Sequence, residues 1–430
     1  MRAALAMLRS ERRARWFFAA HGQSSLGTGA AYVALILLAY DRLASPWAIA
    51  LVLLADFLPA MLLGPVFGAA ADRWSRRACA VVADLMRAAA FIGLAFVDSL
   101  EATIALALVA GAGSALFLPA AMAAIPGLVD RRNVPAATSL YGALTDLGHT
   151  AGPGLAALAL LVVGPETLMV ANGASFAVSA VILARLQFGA VRPFDKRSEP
   201  RSLLAQAVAG SRTVLALRGV RAIIVASSAV ILCAGMFNVA ELLLVREELD
   251  AGGATFSMMV GVFGLGVVIG SLAGASGGTL RDLKRRYLLG ILATGVGLIG
   301  AGLAPYLPVA VAAFALAGMG NGLVLVHERL LLLSSVPDAL LGRVFGLKDA
   351  GTSWGFAIAF VGAGGLLTVL GTREVIVLGG VLSLAVWAAA TWSLRGQWAD
   401  PDEADEEHDG ADRLTAERRR RARAPLGAAG

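Results

Sequence analysis

The sequence predicts an all-α membrane protein whose twelve transmembrane helices form two pseudo-symmetric six-helix bundles. Three observations carry this prediction. First, 58% of the 430 residues are hydrophobic and the mean hydropathy is +0.75, enough apolar sequence for about twelve spans of about 20 residues. Second, only 15% are charged, against roughly 25% in soluble domains. A soluble globule would lack polar surface, and soluble enzymes are excluded. Third, two glycine-bearing motifs recur at nearly one offset across the middle of the chain.

Apolar runs near 20 residues fall at 16–39, 47–69, 78–98, 102–126, 137–161, 167–187, 222–245, 256–278, 287–306, 308–332, 345–370 and 374–394. The first follows the basic stretch Arg9 to Arg15. It exceeds a signal-peptide core and lacks a small-residue cleavage site before its outer end, so it is read as retained. Of the 36 Lys and Arg, Arg87 and Arg329 fall within spans and Arg42, Arg246 and Arg373 on one side; the rest lie on the other. By the positive-inside rule this bias places both termini in the cytoplasm of a multi-pass cell-membrane protein. The charges are divided among short loops without an aromatic-interleaved patch, so no nucleic-acid partner is expected.

The longest polar interval, 188–221, separates a first bundle (1–187) from a second (222–396) as a cytoplasmic linker, and Leu203 to Leu217 within it suit either a surface helix or plain linker. Residues 397–430 begin acidic, turn basic at Arg418 to Arg421, and read as a solvated disordered tail. Cys79 and Cys233 lie far apart without a CxxC or Cys/His cluster, so no disulfide, metal site or cofactor is expected.

The loop after span 2 reads Gly68-Ala-Ala-Ala-Asp72-Arg73-Trp-Ser-Arg76-Arg77, and the loop after span 8 reads Gly277-Gly-Thr-Leu-Arg281-Asp282-Leu-Lys-Arg285-Arg286, an offset of 209. Gly111 and Gly113 of span 4 recur as Gly318 and Gly320 of span 10, an offset of 207. Duplication of a six-helix unit explains both, and parallel repeats of this kind are a transporter architecture.

This pattern resembles the Major Facilitator Superfamily over essentially residues 10–396; GxxxDRxxRR after the second span is its best-known signature, with Ser75 standing where the family usually has Gly. Further resemblance is to the bacterial branch of macrolide-efflux and siderophore-export proteins. It rests on Leu58-Pro59 before Gly64-Pro65, Phe117-Leu-Pro119 with Ile125-Pro126, Gly148-His-Thr-Ala-Gly152-Pro153, and Val336-Pro337 followed by Gly342-Arg343-Val344-Phe345. The resemblance implies the Major Facilitator fold in a bacterial cytoplasmic membrane, alternating access by two rocking bundles, and usually proton-coupled export.

Alternating access needs a breakable contact at the inner helix ends. Asp72 can accept hydrogen bonds from Arg73, Arg76, Arg77 or a helix N-terminus across the interface, with Gly68 allowing close approach, so these five residues are candidates for a conformational latch. Gly148, Gly152 and Pro153 combine close packing with a lost backbone hydrogen bond, and resemble the fifth-helix motif of exporters, with Ala156 and Ala157 where that pattern often has further glycines. Charge inside a span is costly and needs a partner or a wet cavity. Asp56 lies about 13 Å deep at 1.5 Å per residue; proton coupling or cation contact and a structural hydrogen bond are both open for it. Asp84 and Arg87, three apart, read first as an ion pair. Asp146 and His149 share that spacing and suit a proton relay, substrate binding or a satisfied polar contact. Asn238 and Glu241, and His327, Glu328 and Arg329, lie near span ends, where snorkelling or interfacial pairing is the cheaper reading, with Glu241 also a candidate for proton coupling or substrate contact. Span 4 lacks the Arg that many proton-coupled drug exporters carry.

No Walker GxxxxGK[ST], HExxH or GxSxG occurs, so no enzyme is expected. The reading is a monomeric secondary transporter, a proton antiporter exporting a small amphipathic compound such as a drug, macrolide or siderophore-like molecule. Its partners are that compound, protons and the lipid bilayer, and the proton gradient is its energy source. An uptake carrier or uniporter of the same fold is the alternative. A non-transporting scaffold or sensor gains nothing from Asp56, Asp146 and His149 in mid-membrane.

Overall fold

Apolar segments punctuated by Ser, Thr, Gly and Pro caps fold into helices throughout. The computed structural model describes residues 2–43, 45–186, 214–274, 279–336 and 338–397, without the side chains of 2–5, 43, 64, 65, 68–73, 274, 338, 339 and 342. Most of the expected linker and almost the whole expected tail lie outside the described residues. The elements are α1 (Arg2–Ser10), α2 (Arg12–Leu43), α3 (Pro46–Arg73), α4 (Arg76–Leu94), α5 (Leu100–Leu128), α6 (Val134–Ala159), α7 (Pro165–Arg185), α8 (Arg218–Leu243), α9 (Gly253–Gly274), α10 (Leu280–Gly302), α11 (Leu307–Ser335), α12 (Asp338–Leu366) and α13 (Thr372–Ser393). Among the described residues there is no strand.

The predicted spans correspond to α2–α13. Eight of these helices contain an uninterrupted stretch apolar enough to cross a membrane. The other four are α4, α6, α10 and α12, which carry Asp84 and Arg87, Asp146 and His149, Arg281 to Arg286, and Arg343 with Lys348. Starts follow side-chain capping: Ser99 accepts from the Ala102 N–H at 3.2 Å, Thr279 and Asp282 form a capping box, and proline opens α6, α7 and α11. Ser75, the departure from the family signature, accepts from the Ala78 N–H at 3.4 Å and so caps α4.

The five most extensive helix packings among the described residues of the first half are α2 with α6 and α7, α5 with α3 and α4, and α4 with α7. The second half packs the same five: α8 with α12 and α13, α11 with α9 and α10, and α10 with α13. Glycines set this repeat atom by atom, since a missing Cβ lets backbones touch. Gly111 lies on the Asp56 carbonyl and Gly318 on the Phe263 carbonyl; Gly113 meets the Ala83 carbonyl and Gly320 that of Gly290; Gly173 meets Ala88 and Gly380 meets Gly295. Every partner of these contacts is displaced by 207, as 263 − 56, 290 − 83 and 295 − 88 all show. The loop offset of 209 does not continue into the helices. Arg76 and Arg77 open α4, whereas Arg285 and Arg286 fall in the second turn of α10.

The halves meet along α3 with α12 and α6 with α9. One apolar cluster joins them, with Leu37, Ile49 and Leu53 from the first half and Met236, Leu243, Phe256 and Phe360 from the second. It sits at the end opposite the basic loops. At the basic end two separate clusters form, one around Phe17, Ala120 and Tyr141 of the first half, the other around Ile223, Tyr287 and Leu331 of the second. Among the described residues, an apolar cluster thus joins the halves at one end, while at the basic end each half has its own.

The seal is polar at its rim. After α8 the chain takes a π-helical turn, Leu244–Glu248, that aims three successive side chains at partners: Arg246 donates to Asp41 at 3.1 Å, Glu247 accepts from Tyr40, and Glu248 accepts from Arg373 at 2.7 Å. Two arginines of this end also cap helix C-termini. Arg42 donates to the carbonyls of Leu94, Ala95 and Val97, and Arg373 to those of Gly302 and Ala304.

Candidate functional site

A polar face on the first span begins the site. His21, Ser24, Ser25 and Thr28 follow the i, i+3, i+4, i+7 spacing of one helix side, and all four line a cavity of about 160 Å³ inside the first half. Asp84 and Arg87 of α4, Ser114 and Phe117 of α5, Tyr141, Thr145 and His149 of α6, and Phe176 and Ser179 of α7 complete its walls. No described residue of the second half contributes.

Arg87 and Asp84 form an ion pair, the carboxylate fully buried and the guanidinium nearly so. The guanidinium is held between two aromatic faces, 4.3 Å from the Phe117 ring centre and 4.2 Å from that of Phe176, an arrangement that offsets part of its desolvation. Asp84 Oδ2 and Arg87 Nε, both buried, have no hydrogen-bond partner among the described residues. The pair stands in the cavity wall, with Ser179 beside the Asp84 carboxylate. His21 stacks on Tyr141 with ring centres 3.9 Å apart, and its Nε2 lies 3.0 Å from Thr145 Oγ1. The Thr145 hydroxyl donates to the Tyr141 carbonyl at 3.1 Å, which assigns the imidazole hydrogen to Nε2. Buried polar groups with spare capacity suit waters, protons or the polar group of a small molecule.

The repeat shows how local this chemistry is. At an offset of 207, Asp84, Arg87 and Phe117 correspond to Ile291, Thr294 and Val324. At the offset of 203 shared by α2 with α8 and α6 with α12, His21 and Tyr141 correspond to Ile224 and Val344. The ion pair, its Phe117 face and the His21–Tyr141 stack are thus absent from the second half, although other polar positions such as Ser25 and Ser114 recur there as Ser228 and Asn321.

Of the other candidates, Asp56 on α3 supplies the carbonyl under Gly111, and its carboxyl is within electrostatic reach of Arg87. His149 reaches the cavity wall, but Asp146 does not line it and the two share no hydrogen bond, although Asp146 acts electrostatically on His149. Gly148 and Gly152 hold α6 on α2: Gly148 lies against Ser25, and a Cβ on Gly152 would come within 2.6 Å of Gly29. The opposite face of α6, at Thr150 and Gly154, packs on Gly264 and Gly261 of α9 across the halves, with buried Pro153 between. Helix α12 repeats the arrangement with Gly351 and Gly355 on Ser228. The side chains of Gly68, Asp72 and Arg73 lie outside the described residues; Arg76 and Arg77 occupy the first turn of α4.

The interfacial reading of Glu241, His327 and Glu328 is corrected. All three are buried, with 4%, 0% and 3% exposure. Both helices run a few residues further than their hydropathy suggested, α8 prolonged by the π-turn to Glu248 and α11 reaching Ser335, and these side chains pack inside the protein instead of reaching for an interface. Arg329 is exposed. Near Glu328, Ser227 and Tyr287 share a 2.8 Å hydrogen bond.

Two halves of like fold, with a buried polar site inside the first, have the architecture of a transporter of the Major Facilitator type. Residues 2–402 match the family described as transmembrane secretion effector, and the chain belongs to it. An uncharacterized MFS-type transporter, YfiS, of Bacillus subtilis (strain 168) is 26% identical over 395 residues, 88% of this chain and 93% of the relative. The multidrug efflux pump Tap of Mycolicibacterium fortuitum is 26% identical over 339 residues, 75% of this chain and 81% of the pump. Among solved structures the nucleoside transporter NupG superposes with a TM-score of 0.70 at 11% identity, covering 90% of this chain and 100% of that one; this is a likeness of fold.

Proposed function

We propose that this membrane transporter exports a small amphipathic compound in exchange for protons, acting as a monomer with its basic end and both termini in the cytoplasm. The observation that carries the reading is the Asp84–Arg87 ion pair, buried in the wall of the polar cavity of the first half. A proton on Asp84 removes the charge that holds Arg87. Proton occupancy and the packing of α4, α5 and α7 are then one equilibrium, which is what coupling requires. Asp56, within reach of Arg87, is the second acid of this equilibrium, and His149, Asp146 and Glu241 are further candidates for proton or substrate contact.

With the basic end inward, the separate clusters at that end support a conformation open to the cytoplasm, ready to load. Closure of that end would bring the region of Gly68, Asp72, Arg73, Arg76 and Arg77 to the facing half as a latch, while Gly148, Gly152 and Pro153 keep α6 on α2 as the halves rock. The relationship to a multidrug efflux pump supports outward movement of drug-like molecules. The test is accumulation of a drug panel by inverted vesicles with and without an imposed proton gradient. Gradient-driven accumulation that is lost in Asp84→Asn is expected; accumulation indifferent to the gradient would overturn proton antiport.

A further inference from the structure

We infer that the groove between the basic ends of α2 and α7 is a binding site for an anionic phospholipid. The groove has a volume of about 570 Å³ and is walled by Arg12, Arg13 and Trp16 of α2 and by Val181, Ile182 and Arg185 of α7. The three arginines are exposed, and none makes a hydrogen bond or ion pair to a described residue. The adjacent acid is already engaged: Glu11 accepts from the Asn133 side chain at 2.6 Å and from the Asp130 N–H at 3.2 Å, on the far side of the helix junction. Three arginines without a partner among the described residues therefore face one groove.

Its position selects the occupant. In a chain that spans the bilayer, the first turn of α2 and the last turn of α7 lie at headgroup depth. Trp16 is half-exposed where interfacial aromatics concentrate, and Val181 continues the groove toward the hydrocarbon. A phosphate-bearing headgroup meets the arginines while its acyl chain follows the apolar wall. A free anion would use only the first of these features. Basic pockets between spans that hold anionic headgroups follow the same physics.

The experiment uses the full chain reconstituted in phosphatidylcholine vesicles with or without phosphatidylglycerol, followed by native mass spectrometry of retained lipid. Preferential retention of phosphatidylglycerol is expected. It should fall roughly five-fold for each arginine removed in Arg13→Gln and Arg185→Gln and survive in Arg13→Lys and Arg185→Lys, which keep the charge and, with Arg9 and Arg15 intact, the topology signal. Equal retention of the two lipids, or an unchanged preference in the glutamine variants, would overturn the site. Displacement of the lipid by millimolar inorganic phosphate would also overturn it, as the mark of a simple anion site.

Discussion

Arg246 of the second half reaches Asp41 of the first at 3.1 Å, at the rim of the sealed end. Both side chains are partly exposed, so the pair is worth about 1 kcal/mol at most. That is still enough to bias a two-state equilibrium about five-fold. Arg246→Ala should raise the population parted at this end by up to that factor, and the exchange of charges in D41R/R246D should restore it. Distance distributions between spin labels at positions 45 and 250 give the measurement. An unchanged distribution would mean that the apolar cluster alone holds the seal.

Removing one member of a buried pair leaves the other charge stranded. Asp84→Asn should lower stability by about 3 kcal/mol and stop gradient-driven transport. Replacing Arg87 as well, in D84N/R87M, should recover most of the stability because no lone charge remains, without recovering transport. Thermal unfolding in detergent and vesicle uptake separate the two effects. A double variant that transports would show the pair to be structural.

Much of this is legible in the sequence for identifiable reasons. Hydropathy marks spans because lipid demands it, and the Gly111 and Gly318 motifs recur because the same backbone contact recurs. Asp84, Arg87, Asp56 and Glu241 are visible because charge in a span is rare. His21, Ser24, Ser25 and Thr28 escape a reading for charge, although their helical spacing in a span is a signal of the same kind. Gly351 and Gly355 escape it because the repeat there runs at 203 rather than 207. Phe117 and Phe176 cannot be found this way: aromatics in apolar helices look like any other core residue until folding brings them to one guanidinium. The burial of Glu241 depends on which helices fold over its face, which composition does not encode.

Gly148 tests the packing of α6. Because its position faces Ser25 directly, Gly148→Ala should push α2 and α6 apart and cost about 1–3 kcal/mol. Gly142, on the same helix, has open space where a Cβ would go; Gly142→Ala should be neutral or stabilise by up to about 1 kcal/mol from helix propensity. Equal melting shifts for the two variants would contradict the contact.

At the basic end, the Thr279 N–H and hydroxyl both donate to Asp282, at 3.1 and 3.0 Å, with Arg286 and Arg281 nearby, and hold its carboxyl below the usual carboxylate range. A group depressed in the folded state contributes stability above its unfolded value, about pH 4, and loses it as pH falls through the lower folded value. Carbon-13 NMR should therefore find Asp282 titrating below an unfolded aspartate, with the first turn of α10 losing exchange protection only in that acid range. Asp282→Asn should remove the pH dependence of that turn, and an ordinary aspartate titration would dissolve the capping box as its cause.

Asp56 decides where the coupled proton resides. Its backbone is fixed, since the carbonyl lies under Gly111, so a change of side chain does not disturb the helix crossing. Asp56→Asn mimics a permanently protonated carboxyl. If this residue exchanges the proton, substrate binding should persist while the gradient no longer drives accumulation. If Asp56 only supplies a hydrogen bond, the isosteric amide keeps most of it and coupled transport stays near normal. Accumulation against a pH gradient, measured beside substrate binding in the same vesicles, distinguishes these outcomes. Retained coupling would leave the proton with Asp84, whose partner Arg87 is the cation that both acids share.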